Sequence, residues 1–471
     1  MLFSSISFLY YFLPITLLLH LLMPSHTMKY KNLVLLFASF VFYFWGEPKF
    51  CILMALSICI AYVSGLLLSY TTEKKPAFKK PVFLLSVTIV LSFLFLFKYF
   101  DFFIQTINQI TGSALSLLRL ALPLGISFYT FQIISYQIDV YRGKISAERS
   151  LLDFAMYISF FPQLVAGPIV RYETLQREVK SRTCTITEIG IGCRRFLIGL
   201  SKKLILADAY GQLIKQLQLQ SSIGIVESWL IAIAFTLQIY FDFSGYSDMA
   251  IGLGHMFGFH FPENFDYPYM SKSITEFWRR WHMTLGAFMR NYLYIPLGGN
   301  RCSKSRMYFN LWIVFLLSGF WHGANWNFLI WGAYHGIWLV FERMGLKKFY
   351  EKIGKIPSVI ITFVIVLVGW VFFRIESFHD ATTFISRMFA FDFNMMENVY
   401  DKQFFFTLIV AVVLSFICLF PFGKKMHDFV FYTNYNKTQN IIVWIIAVIT
   451  LLFCLGALNT AGFSPFIYFR F

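Results

Sequence analysis

Charge is what this 471-residue chain has least of. Asp, Glu, Lys and Arg together supply 14% of it, against about 25% in an ordinary soluble domain. Cysteine is sparse as well. Seven are scattered with no C-x-x-C pair, which speaks against a disulfide framework and a cysteine-built zinc cluster. Missing too are H-E-x-x-H, G-x-x-x-x-G-K-[ST], G-x-S-x-G and G-x-G-x-x-G. Their absence argues against a zincin protease, a P-loop ATPase, a nucleophile-elbow hydrolase and a dinucleotide enzyme. No repeat of roughly 20–50 residues is visible, so a repeat architecture is not indicated.

What is abundant is apolar: 58% of residues are hydrophobic, and they come in long runs. These are Phe3–Met23, Asn32–Trp45, Cys51–Tyr70, Pro81–Phe97, Ser228–Phe241, Tyr308–Trp321, Phe328–Phe341, Val359–Phe373, Phe404–Phe420 and Ile441–Leu458. Several approach the ~20 residues a helix needs to cross a bilayer core. Only helices or closed barrels satisfy the backbone there, and the short alternating segments of a barrel are absent. The fold class is therefore all-α, a polytopic membrane protein with roughly nine to eleven spans. Phe3–Met23 lacks a basic leader and a small-residue cleavage site, so it reads as a retained span rather than a signal. Lys29 and Lys31 follow it, which places that loop in the cytoplasm and the N-terminus outside.

The formal net charge of +16 would suggest nucleic acid in a soluble protein. Here the basic residues sit in connectors: Thr71–Lys80, Arg171–Arg182, Arg194–Lys203 and Lys272–Arg306. Membrane topology and anionic lipid account for that pattern, and no nucleic-acid partner is expected. The chain reads as one domain, 1–471, in three zones. Residues 1–110 and 355–471 hold plain spans, with Glu376–Gln403 a mixed loop containing a candidate surface helix. Residues 115–345 are interrupted by Gly, Pro and polar residues. Ala121–Gly143 places Pro123, Gly125, Ser127, Gln132, Gln137 and Asp139 in or beside a span, and Phe160–Tyr172 is too broken for a straight crossing. Irregular backbone at membrane depth is tolerated only inside protein or against a watery cavity, so re-entrant segments and merely kinked helices both remain open.

Three stretches of the middle zone carry chemistry. SGFWHGANWNFLIWGAYHG, Ser318–Gly336, places His322 and His335 in a run of Trp, Phe, Leu and Ile. Histidine is costly at bilayer depth and marks a functional site there by default; the bland alternative is a hydrogen-bonded structural histidine. In one helix Ser318, His322, Asn325 and Trp326 would share a face. His335 would point ~140° away from His322 and sit ~20 Å along the axis, unless the helix breaks near Gly323. The second stretch, Ile274–Arg301, repeats Phe277, Trp278, Trp281, Leu285 and Phe288 at helical spacing. It reads as an interfacial helix with His282, Arg279 and Arg290 at its border. The Gly298-Gly299-Asn300-Arg301 loop that ends it has amides able to cradle an anion, or the stretch is simply a lipid-phosphate anchor. The third, Phe241–Gly252, carries Asp242, Ser244 and Asp248, which read as structural or supporting groups.

These stretches, with LPLGISFYTFQIISYQIDVYRG and SFFPQLVAGPIVRYETL, resemble the membrane-bound O-acyltransferase family, in its branch of alginate-type polysaccharide O-acetyltransferases. FSPFIYFRF at the C-terminus resembles it too. The resemblance implies a ring of helices around a thinned centre where a cytoplasmic funnel meets an outer one. It implies His322, of the W-H-G motif, as the catalytic residue and His282, of R-W-H, as the second histidine. It further implies acetyl-CoA as acyl donor and an extracytoplasmic serine-esterase-like partner that finishes transfer to a polysaccharide. The location it implies is a bacterial inner membrane. The branch usually carries R-D-Y where this chain has Arg290-Asn291-Tyr292; Asn291 can hydrogen-bond but cannot act as a base.

The expected mechanism makes His322, kept neutral by burial, the base that deprotonates an acceptor hydroxyl as it attacks the acetyl thioester. Asn325 is a candidate to steady the oxyanion. Arg279, Arg290 and Arg301 are candidates to pair with coenzyme A phosphates. A covalent route through Ser318 ranks below direct transfer. No metal is expected. Two rivals stand: D-alanyl transfer to teichoic acid, and a transporter without group transfer, which broken helices and intramembrane polar residues would also suit.

Overall fold

The computed structural model describes residues 1–24, 28–218, 224–390, 402–433, 435–461 and 465–467. Among them every regular element is a helix. They form two compact units, Met1–Phe196 with Met249–Pro262, and Leu197–Asp248 with Glu263–Phe471.

In the first unit the helices are α1 Leu13–Leu22, α2 Met28–Gly46, α3 Cys51–Lys74, α4 Pro76–Leu94, α5 Phe100–Thr111, α6 Ile126–Tyr141, α7 Leu151–Ser159, α8 Phe161–Leu164, α9 Tyr172–Lys180 and most of α10 Ile186–Ser201. The core is aromatic: Phe12 meets Phe42 at 5.7 Å and Phe161 at 5.2 Å between ring centroids. The Phe160–Tyr172 stretch is a single helical turn followed by a turn and irregular chain, and every residue from Phe160 to Val170 is buried. Gln163 Nε2 donates to the Tyr157 carbonyl at 2.5 Å and the Tyr157 hydroxyl to the Val170 carbonyl at 2.8 Å. The stretch is thus buried and tied within protein, the setting in which irregular backbone is tolerated at membrane depth.

In the second unit lie α11 Asp208–Gln218, most of α12 Ile225–Met256, α13 Ile274–Arg280, α14 Met283–Met289, α15 Lys304–His322, α16 Trp326–Phe341, α17 Lys347–Ile353, α18 Lys355–Arg374, α19 Phe378–Met388, α20 Lys402–Phe416, α21 Pro421–Tyr432 and α22 Lys437–Ala461. Among the described residues five helices are long and apolar enough to cross a membrane. These are Pro48–Lys74, Pro76–Thr111, Ile225–Met256, Lys355–Arg374 and Lys437–Asn459. A sixth arises if Phe404–Leu419 and Pro421–Tyr432, bent by 99°, count as one. Fewer helices than apolar runs qualify because some runs are too short: Phe8–Leu22 has only the length of a shorter apolar helix, and α16 is 16 residues long. The surface helix expected after Glu376 is α19, capped by Ser377 Oγ. The rest of that tract, 391–401, and most of the C-terminal motif lie outside the described residues.

The Ile274–Arg301 stretch departs from the single interfacial helix its periodicity suggests. It breaks at Trp281–His282, where His282 takes a left-handed backbone (φ 46°). The first half is pinned from outside: Glu342, just after α16, accepts from the Ile274 amide, from the Thr275 amide at 2.9 Å and from the Thr275 hydroxyl at 2.6 Å. A carboxylate over the free amides of a helix N-terminus is favourable, and it fixes where α13 delivers His282.

Candidate active site

His322 is the last residue of α15, because Gly323 leaves the helical region (φ −161°, ψ 147°). Asn325 then caps α16, its Oδ1 accepting from the Asn327 amide at 2.9 Å. Close packing holds the break. A Cβ on Gly323 would lie 2.2 Å from the Phe328 ring, and one on Gly319 2.1 Å from the Phe328 carbonyl oxygen. Small residues let α15 and α16 meet backbone to backbone. His322 is buried, its ring 4.8 Å from Trp321, 5.2 Å from Trp331 and 5.4 Å from Phe373. Ser318 is buried one turn earlier.

The break changes the geometry a continuous helix would give. His335 shares Trp331 with His322, at 5.3 Å, and packs on Trp278 at 5.0 Å. It is fully buried, and neither ring nitrogen has a hydrogen-bond partner among the described residues. A Cβ on Gly369 would sit 2.7 Å from its Nε2, so glycine makes the room for this ring. His335 is thus caged by aromatic rings.

His282 has a more specific setting. Its Nδ1 lies 3.0 Å from Asn264 Oδ1, which also receives the Thr284 hydroxyl at 2.9 Å and the Thr284 amide at 3.3 Å. A backbone N–H can only donate, so this Asn264 atom is the carbonyl oxygen; the amide nitrogen donates to Ser247 Oγ at 3.0 Å. Nδ1 must then carry a proton, so the neutral ring holds its lone pair on Nε2. Nε2 is buried with no partner among the described residues. In that neutral form His282 offers Nε2 as an acceptor to the interior. The same contacts offset the strain of its left-handed backbone, of order 1–3 kcal/mol for a non-glycine residue. Phe243 backs the ring at 4.8 Å and Trp321 lies 6.5 Å away, so His282 and His322 both neighbour the Trp321 indole.

Arg279, Arg290 and Arg301 are exposed. Arg280, by contrast, is held by Asp266 at 2.5 Å and Glu276 at 3.0 Å. Asn291 sits in a π-helical turn, Arg290–Tyr294. The amides of Gly298, Gly299 and Arg301 donate to Ile295, Tyr294 and Gly298 carbonyls at 2.9–3.0 Å. These three are engaged inside the loop, which weakens the backbone cradle its glycines suggest and leaves the guanidinium groups as the main charge for an anion.

Asp242 does not face the histidines. It pairs with Lys203 at 2.9 Å and accepts the Ile467 amide at 2.7 Å, while Lys203 also pairs with Asp208 at 2.8 Å. This buried triad tethers the C-terminal segment, whose Phe466 packs on Phe243 at 5.7 Å. Sequence reasoning missed Asn264, Lys203, Glu342 and Gly369. Asn264 had a signal, since it opens the NFDYP stretch that leads into the histidine motif; the others act through tertiary contacts that no local pattern announces.

The chain is similar to several known proteins. The chain is 41% identical, over the full length of both, to the probable alginate O-acetylase AlgI of Pseudomonas putida. It is 36% identical to the peptidoglycan O-acetyltransferase of Helicobacter pylori, covering 82% of this chain and 80% of that one. Similarity to the teichoic acid D-alanyltransferase of Bacillus subtilis is lower, 29% over 54% of this chain and 69% of that one. The family model of the membrane-bound O-acyltransferases matches residues 37–376. A helical, multi-pass chain with paired histidines at broken helix ends, it belongs to the membrane-bound O-acyltransferase family.

Proposed function

We propose that this O-acyltransferase takes an acetyl group from cytoplasmic acetyl-CoA and passes it across a bacterial inner membrane for O-acetylation of an extracytoplasmic polysaccharide. The acceptor class is alginate-like, peptidoglycan or cellulose. The observation that carries the reading is the pair of buried imidazoles, His322 and His282, that both neighbour Trp321. Both close relatives described above are named for O-acetylation, which favours acetyl over D-alanyl as the acyl group.

In this mechanism His322 accepts the proton of an acceptor hydroxyl as its oxygen attacks the thioester carbonyl. The C–O bond forms, the C–S bond breaks, and the proton returns to the departing coenzyme A sulfur. A positioned base of this kind contributes about 10²–10⁴-fold. His282, its Nδ1 proton committed to Asn264, presents Nε2 as an acceptor that orients the reacting groups or relays a proton. The exposed Arg279, Arg290 and Arg301 supply fixed positive charge for the phosphates of coenzyme A. Asn325 has spent its carbonyl on capping α16, which leaves its amide NH₂ as the donor available to an oxyanion. An extracytoplasmic serine-esterase-like partner completes transfer to the glycan.

The test is reconstituted protein offered labelled acetyl-CoA. Free coenzyme A should appear and label should reach a hydroxyl acceptor. Uptake of label without thioester cleavage would favour a transporter, and turnover only with a D-alanyl thioester would favour the teichoic acid branch.

A further inference from the structure

Away from these histidines, the first unit gathers a second set of titratable side chains. Glu188 lies on α10, His255 near the end of α12, and His260 just past it. His255 Nδ1 is 2.9 Å and His260 Nε2 3.6 Å from the same oxygen, Glu188 Oε2. The three donor atoms lie within 4.8 Å of one another. The two imidazole rings meet at 4.9 Å and 88°.

The turn that brings them together is built, not loose. Gly258 has φ 80°, and a Cβ there would lie 2.7 Å from the Thr183 carbonyl oxygen. Arg182 Nε donates to the Phe257 carbonyl at 3.0 Å, and Cys184 Sγ to the Met256 carbonyl at 2.9 Å. Glu178, on α9, grips His260 twice. Its Oε1 meets Nδ1 at 2.8 Å and its Oε2 accepts the backbone amide at 3.0 Å. A carboxylate on Nδ1 keeps the proton there and leaves the lone pair on Nε2, the atom turned toward Glu188. That carboxylate–imidazole arrangement is the one that orients metal-bound histidines.

We propose that Glu188, His255 and His260 bind a divalent transition-metal ion of the zinc class, with Glu178 as the outer carboxylate that orients His260. Two imidazole nitrogens and one carboxylate oxygen form a donor set suited to zinc, with further positions open to water. Tetrahedral ligands at zinc bond lengths sit about 3.3 Å from one another, and the two contacts to Glu188 bracket that spacing. The charges match: two carboxylates and two neutral imidazoles balance a dication. His260 is half exposed, which gives an ion a way in. Sequence reading expects no metal because the signature motifs are absent; here the carboxylate stands 67 residues from the first histidine. The site does not rest on acyl transfer.

The test uses purified full-length chain in detergent, stripped with chelator and titrated with Zn²⁺, or with Co²⁺ for its visible absorption. One saturable equivalent is expected. His255→Ala and Glu188→Gln should each weaken binding on the order of 100-fold, and Glu178→Gln about 10- to 100-fold, whereas exposed His379→Ala should leave it unchanged. Should the ligand variants fail to fold, X-ray absorption of the zinc-loaded wild type reads the same question, with two imidazoles in the metal shell expected. Absence of stoichiometric binding, an imidazole-free shell, or equal binding by a folded His255→Ala/His260→Ala variant would overturn the site and leave only an ion-paired network.

Discussion

The imidazole of His322 meets the indole of Trp331 edge to face, ring centroids 5.2 Å apart and planes at 89°. Trp331 also carries His335 and Phe373, at 5.3 and 5.2 Å. One indole therefore sets the tilt of the proposed base against the α16 helix. Trp331→Phe is expected to retain the fold while lowering acyl transfer about 10- to 100-fold, the scale of a misplaced catalytic group. Coenzyme A release under saturating donor, compared with thermal stability, separates the two effects.

Asn264 is expected to act by positioning His282. Asn264→Ala removes the acceptor that holds the Nδ1 proton, so turnover should fall about 10- to 100-fold. Asn264→Asp keeps an oxygen for Nδ1 and for Thr284 but loses the donor to Ser247. It should recover part of the rate with a shifted pH–rate profile. A merely structural role would leave that profile in place.

How far the sequence reached can be judged on these same residues. The sequence singles out His322 as a costly histidine in an apolar run, and His282 at the border of an apolar helix face and in the R-W-H motif; the structure buries both. Their surroundings were less legible. The periodicity of Phe277, Trp278, Trp281 and Leu285 describes a continuous helix, yet tertiary contacts to Asn264 stabilise a left-handed His282 and break it. The glycines around His322 announced close approach and left a break near Gly323 open, but not that the break would bring His335 onto the same indole. Asp242 and Asp248 read as supporting groups, whereas their partners Lys203 and Lys202, drawn from a basic connector, read only as topology signals.

Gly323→Ala should be poorly tolerated. Its Cβ would sit 2.2 Å from the Phe328 ring, and overpacking of this kind costs about 1–3 kcal/mol. A lowered melting temperature together with reduced turnover is expected. Gly456→Ala, with nothing within 4 Å of the added Cβ among the described residues, is the comparison without that clash.

Stability should also fall in acid through Glu148, in the connector between α6 and α7. Burial alone raises its pKa, but hydrogen bonds from the Tyr172 hydroxyl, the Ser150 amide and Lys180 outweigh it and hold the carboxyl below 4.5. A depressed folded-state pKa means the contribution is fully present above the unfolded value and is lost as pH falls through the folded one. Melting temperature in detergent should drop on acidification below 4.5, with a shallower dependence in Glu148→Gln.

The most direct measurement is coenzyme A release from labelled acetyl-CoA by reconstituted wild type and His322→Ala, each with its melting temperature. Loss of about 10²–10⁴-fold in rate with an unchanged melting temperature is the expected result, and release within about threefold of wild type would contradict the account.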